Sequence, residues 1–244
     1  DRDLGRRALA RGLARNARVD AVMTSPVVTI AADADLHGAF ALLAEHAIRR
    51  LAVLDGDRFV GTITVDDLLI DSSIAPIDGP GGVLGNAGPC LVRTVGGLPV
   101  YGVMQFDSAD VSAMESTGQL GAVILHEMGH VLGFGTLWSG TLLSGAGTSN
   151  PTFLGTTAMG VWHAMGGSGA VPVENTGGLG TADAHWRESV FGIELMTGYL
   201  AGSTAPLSAL TIASMADLGY QVDLSAADPY VPMAGLRSTA TPEA

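Results

Sequence analysis

The segment QLGAVILHEMGHVLGFG, residues 119–135, places His126 and His130 four positions apart, with Glu127 directly after the first histidine. A helix puts positions i and i+4 on one face. His126 and His130 can then offer two imidazoles to one ion while Glu127 projects beside a water on that ion. The surroundings agree with a helix. Leu120, Val123, Ile124 and Val131 form an apolar stripe for burial. Gly133 stands where a helix ends with a positive φ. Ser116-Thr117-Gly118-Gln119 fits a capping box at the start, with Ser116 accepting from a backbone N–H and Gln119 reaching back. Two histidines do not complete a catalytic zinc site, which usually has three protein ligands and one open position. His163, in GVWHAMGG, and His185, in TADAHWRES, are the candidates for the third.

Charge and glycine divide the chain into two modules. The 244 residues include no lysine; residues 1–72 hold nine arginines against eleven acids, and residues 73–244 hold three against thirteen. Glycine is sparse before Gly79 and dense after it, as in GPGG, MGGSG and NTGGLG. An acidic second module repels nucleic acid and anionic membranes, so neither is an expected partner. No run approaches the roughly 18 apolar residues of a membrane helix, so no membrane insertion is expected. The arginine-rich opening has no signal-peptide core, and a chain starting Asp1-Arg2-Asp3-Leu4 reads as a piece of something longer. Cys90 is the single cysteine, which rules out an intrachain disulfide; it is expected to be a small buried apolar residue.

In the first module VVTI, LAVL and FVGTITV read as strands, the last two joined by the turn Asp55-Gly56-Asp57. Between the first two, Leu36, Phe40, Leu43 and Ala47 recur at helical spacing. This order, from VMTSPVVTI to GTITVDDLL, resembles a cystathionine-β-synthase-type (CBS) motif. The resemblance implies a β-α-β-β-α module over residues 1–72, and the opening DRDL resembles the end of a preceding motif. CBS motifs work in pairs that hold adenosyl ligands, with Thr64 and Asp67 at the positions that touch ribose; an adenosyl nucleotide is therefore an implied partner. His37 and His46 are expected to be solvated. The module boundary is expected between residues 64 and 78, with the Pro- and Gly-rich stretch Ile74–Gly82 as linker. Residues 233–244 are expected to be a disordered tail.

Metzincin peptidases extend the histidine motif as H-E-x-x-H-x-x-G-x-x-H. Here the pattern holds through Gly133 and fails at Thr136. One metzincin group inserts a long segment before the third histidine. VPVENTGGLGTADAHWRESVFGIELMTGYL, followed by PLSALTIASMADLGYQV, resembles that group, the leishmanolysin-like peptidases. The resemblance implies a zinc peptidase domain over residues 73–232, in an α+β fold. It assigns His126, His130 and His185 as the metal ligands, Glu127 as general base, and Met196 as the Met-turn residue beneath the metal. Asp183, Trp186 and Glu188 are expected to orient the His185 ring or close the site.

Zn2+ among three neutral imidazoles brings the pKa of water toward about 7, and the resemblance implies that this water serves endoproteolysis of a polypeptide substrate. YGVMQFD, residues 101–107, is expected to be the edge strand that pairs with that substrate, and Tyr199 is a candidate oxyanion donor. The alternative is an adenosyl-binding regulatory module fused to an incomplete, inactive peptidase. Between Gly82 and Leu120 only two or three strands are expected, fewer than a metzincin upper sheet. Localisation points two ways: peptidases of this group suggest a secreted or cell-surface protein, CBS modules a cytoplasmic one.

Overall fold

The computed structural model describes residues 27–34, 38, 39, 42, 46, 50–64, 68–200, 202 and 205–233, with backbone alone at 50, 63 and 64. Asp67, His37, the side chain of Thr64, the tail from residue 234, the opening DRDL and most of the helix expected from Leu36 to Ala47 lie outside the described residues. The chain divides into two compact units, Asp1–Asp66 and Asp67–Ala244. Small sheets and five α-helices make the described residues an α+β arrangement. No described helix is long and apolar enough to cross a membrane.

The first unit contains a sheet in the order β1 (Thr29–Ala31), β2 (Arg50–Asp55), β3 (Arg58–Thr64). β1 runs parallel to β2, whereas β2 and β3 are antiparallel and joined by a tight turn. Gly56 supplies that turn with φ +59°. Leu51 is fully buried and Ile30 nearly so, as the strand alternation requires.

The second unit opens with β4 (Leu69–Ala75), β5 (Gly85–Val92) and β6 (Pro99–Asp107), in the order β4-β6-β5. β4 pairs with β6 in parallel from Leu69–Tyr101 to Ala75–Asp107. Hydrogen bonding along its whole length thus places β4 with the second unit. The two units meet at 66/67, within the interval 64–78, and the stretch from Ile74 to Gly82 begins as the end of β4 and becomes a loop only after Ala75. That loop is tied down by a buried carboxylate: Asp107 accepts from the N–H groups of Ile77, Asp78, Gly79 and Ala109.

Helix α1 (Val111–Thr117) and helix α2 (Leu120–Val131) follow the sheet. α1 corrects the expected capping box. Ser116 and Thr117 are its last turn, their hydroxyls donate back to the Ala113 carbonyl, and Gly118 (φ +74°) ends it. The α2 N-cap is Gln119, whose side chain makes no cap and instead donates to the Gly202 carbonyl. β6 buries Met104 and Phe106 on one face, where they meet Met114 of α1 and Val123 and Val131 of α2. Burial of each such side chain contributes roughly 1.5–3 kcal/mol, and this packing fixes α2 against the sheet. Gly133, with φ +110°, ends the helical run as expected.

Beyond α2 the chain builds a second core. It contains a three-stranded sheet of two-residue strands, β7 (Leu143–Ser144), β8 (Thr152–Phe153) and β9 (Val171–Pro172), and helices α3 (Thr156–Ala164), α4 (Glu188–Phe191) and α5 (Ala209–Leu218). Trp186, Phe134, Phe153 and Phe191 are fully buried and pack with Trp138 and Trp162. Their contacts are edge-on or tilted, such as Phe134–Trp138 at 4.7 Å and Phe134–Trp186 at 5.0 Å between centroids. Cys90, expected to be buried, is exposed on β5: β5 is an edge strand, and Cys90 sits at an irregularity where the pairing with β6 shifts register between Pro89 and Leu91.

Candidate metal centre

α2 brings His126 and His130 onto one face, as their spacing demands. His185 arrives from sequence far downstream, on a segment held by the aromatic core through its neighbour Trp186. The three Nε2 atoms meet in a triangle whose sides are all 3.0 Å. Each Nδ1 faces a backbone carbonyl: His126 that of Leu195 at 2.7 Å, His130 that of Phe134 at 2.9 Å, and His185 that of Thr181 at 2.9 Å. A carbonyl can only accept, so each Nδ1 carries the proton and donates it. In the neutral rings all three Nε2 lone pairs therefore point at one another, an arrangement that calls for a cation. Tetrahedral zinc with bonds of about 2.0–2.1 Å sets its nitrogens roughly 3.3 Å apart, close to the observed triangle. The residues fit the ion.

Burial also keeps the rings neutral. It holds His126 below the ordinary histidine range, His130 well below it, and His185 at about 4. Glu127 is buried beside its histidine, and loss of water pushes its carboxyl up to about 7. Its Oε2 has no hydrogen-bond partner. β5 passes directly over it: a Cβ on Gly85 would stand 2.9 Å from Glu127 Oε1. Gly129, between the two helix histidines, leaves room in the same way for Met196, whose sulfur and methyl would lie 2.8 Å from a Cβ there. Met196 is thus packed against α2 at Gly129 and is 1% exposed.

The triad opens into a cleft of about 600 Å³, walled by residues 82–87 on one side and by Leu179, Ile193, Tyr199 and Leu200 on the other. The strand at this wall is β5. The expected edge strand, residues 101–107, is β6 and lies in the middle of the sheet, hydrogen-bonded on both sides. Its apolar alternation marks it as a strand but cannot reveal its place in the order, because its partner β4 lies about thirty residues upstream, in a stretch that would serve equally as the end of the first module or the entrance to the second.

His163 stays apart from the triad. It is exposed on α3 and its Nε2 bonds the Gly169 carbonyl. Of the groups expected to orient His185 or close the site, Asp183 accepts from Gly147 N–H, Trp186 anchors the segment in the core, and Glu188 Oε2 is buried without a partner. The Thr181 carbonyl orients the ring instead, a role that no side-chain pattern signals. Tyr199 is half-exposed in the cleft wall.

Residues 57–142 and 167–236 match the model of the family described as Leishmanolysin. The chain belongs to the leishmanolysin family. That is a family of zinc metallopeptidases, and the match includes all three histidines, Glu127 and Met196. It omits residues 143–166, where β7, β8, α3 and His163 lie. Residues 19–72 match a CBS domain, so the two matches share residues 57–72. The CBS domain-containing protein YhcV of Bacillus subtilis (strain 168) is 34% identical over 71 residues, 29% of this chain and 51% of that protein. The chain thus spans about half the length of that relative.

Proposed function

We propose that the unit beginning at Asp67 is a zinc-dependent endopeptidase, with His126, His130 and His185 holding the metal and Glu127 acting as general base. The carrying observation is the convergence of three Nε2 lone pairs, their tautomers set by backbone carbonyls, beside a carboxylate with an unpartnered buried oxygen. When bound, zinc supplies a Lewis acid that polarises a peptide carbonyl and makes water acidic near neutral pH. The nearby positive charge also draws Glu127 down from about 7 into the ionised form a base requires. Glu127 takes the proton of the attacking water and returns it to the departing amine.

The polypeptide lies extended along β5, whose outer edge carries no strand partner among the described residues. Backbone pairing to that edge supplies affinity without sequence preference. Apolar walls at Val83, Leu84, Leu179, Ile193 and Leu200 favour apolar side chains beside the scissile bond. Tyr199 stands in the same wall as a donor to the developing oxyanion.

Elemental analysis of protein purified in zinc-containing buffer is expected to find one zinc per chain, removed by chelator together with hydrolysis of an unfolded protein substrate. Glu127→Ala is expected to retain the zinc and lose about a hundredfold or more in turnover. Metal-free protein, or unchanged turnover in the variant, contradicts the proposal. A second reading, adenosyl-ligand binding at Thr64 and Asp67 with an inactive peptidase, is supported by the CBS match. Calorimetric titration with adenine nucleotides tests it, and absence of binding heat removes it.

A further inference from the structure

The mechanism makes no use of Glu194, a carboxylate only 1% exposed. Such a group is expensive to bury unless its oxygens are satisfied. Here four donors converge on it: Ser208 Oγ at 2.6 Å, Ser208 N–H at 3.2 Å and Thr211 Oγ1 at 2.6 Å on Oε1, and Met196 N–H at 2.6 Å on Oε2. Ser208 is also the N-cap of α5, so the carboxylate sits at the positive end of a ten-residue helix. The hydroxyls have no freedom to turn. Thr211 Oγ1 already accepts from Trp186 Nε1 at 2.8 Å and must donate to Glu194, and Ser208 Oγ accepts from Thr211 N–H.

The connections lead to two ligands. Residue 195, next in the chain, carries the carbonyl that accepts a hydrogen bond from His126 Nδ1–H. Met196 carries the carbonyl that accepts from Trp186 N–H at 3.0 Å, and Trp186 follows His185 directly. One side chain therefore ties α5 both to the turn that orients His126 and, through Thr211 and Trp186, to the segment that delivers His185. We infer that Glu194 is the positioning residue of the metal centre: its carboxyl group, through the four bonds it accepts, holds the Leu195-Met196 turn and the His185 segment in the register that closes the histidine triangle. Glutamine cannot replace it, because an amide turns one acceptor into a donor and opposes it to an N–H or hydroxyl that already donates.

This inference rests on the zinc reading above, and zinc binding by the wild-type chain tests that reading first. The full chain and its variants are titrated with zinc against a chromophoric chelator, and the cobalt-substituted proteins are examined by visible absorption. Glu194→Gln is expected to weaken zinc binding tenfold to a hundredfold, as loss of groups behind metal ligands does, and to shift the cobalt bands. Asp217→Asn serves as the control, since Asp217 also leaves α5 to bond backbone, at Thr157 and Ala158 of α3, away from the ligands. It is expected to lower thermal stability while leaving zinc affinity and the cobalt bands unchanged.

Thr211→Val, which breaks the link from Trp186, is expected to weaken zinc binding in the same direction, and Thr211→Ser to restore it by returning the hydroxyl. If Glu194→Gln does not fold, the Thr211 pair decides alone. Zinc affinity in Glu194→Gln equal to that in Asp217→Asn, or no difference between Thr211→Val and Thr211→Ser, overturns the inference. A wild-type chain that binds no zinc overturns the metal reading and this inference with it.

Discussion

At the scale of single residues, the hydrogen bond made by the far nitrogen of each histidine matters as much as the nitrogen that faces the site. Because Leu195, Phe134 and Thr181 offer only carbonyl oxygens, the three rings are committed to one tautomer before any metal arrives. His163 is committed differently: its Nε2 is engaged with the Gly169 carbonyl on the surface. His185→Ala is therefore expected to lower zinc affinity by about a hundredfold or more, and His163→Ala to leave it within about twofold. Parallel metal titrations read both, and the reverse order would move the third ligand into the 143–166 segment. The helix pair was legible in the sequence because the i, i+4 spacing is a property of one helix. His185 was reached only through resemblance, because the fifty-four residues between it and His130 carry no local signal of where the chain returns.

At the scale of elements, the site depends on how closely β5 and the Met196 turn approach α2. Gly85 and Gly129 make those approaches feasible, since a Cβ at either would meet Glu127 Oε1 or the end of Met196 below ordinary contact distance. Gly85→Ala is expected to displace the Glu127 carboxylate, lowering kcat about tenfold or more, in proportion to lost general-base catalysis, with zinc affinity unchanged. Steady-state kinetics and a zinc titration on one preparation separate the two effects. A second element-scale device is the loop after β4, gathered onto Asp107 by three of its backbone N–H groups. Those bonds, with that of Ala109, hold the Asp107 carboxyl below its usual pKa. The stabilisation is present above the unfolded value of about 3.9 and is lost as pH falls through the lower folded value. Asp107→Asn is expected to melt below wild type at pH 7 and to converge with it as the pH falls below about 4. Thermal melts across that range check it, and a gap that persists into acid contradicts it.

At the scale of the whole molecule, the second unit contains the sheet β4-β6-β5, the histidine-bearing helix α2 and the aromatic core. Residues 67–244 alone are expected to bind zinc as the full chain does and to resist protease equally. Metal titration and limited proteolysis of that fragment test this, and loss of zinc binding would show that the first sixty-six residues belong to the peptidase core. What the sequence by itself determined were properties carried by neighbours in the chain: the strands and tight turn of the first unit, the helical face of His126 and His130, the helix stop at Gly133, and the contrast in charge and glycine between modules. Each follows from a period of 2 or 3.6 residues, or from one backbone conformation. Only the tertiary structure decided that β4 joins β6, that β5 is the edge beside the cleft, that Ser116 and Thr117 end one helix rather than begin the next, and that Glu194 is buried among four donors. Strand order, shared hydrogen-bond partners and the burial of a charge depend on segments tens of residues apart, which meet only when the chain has packed.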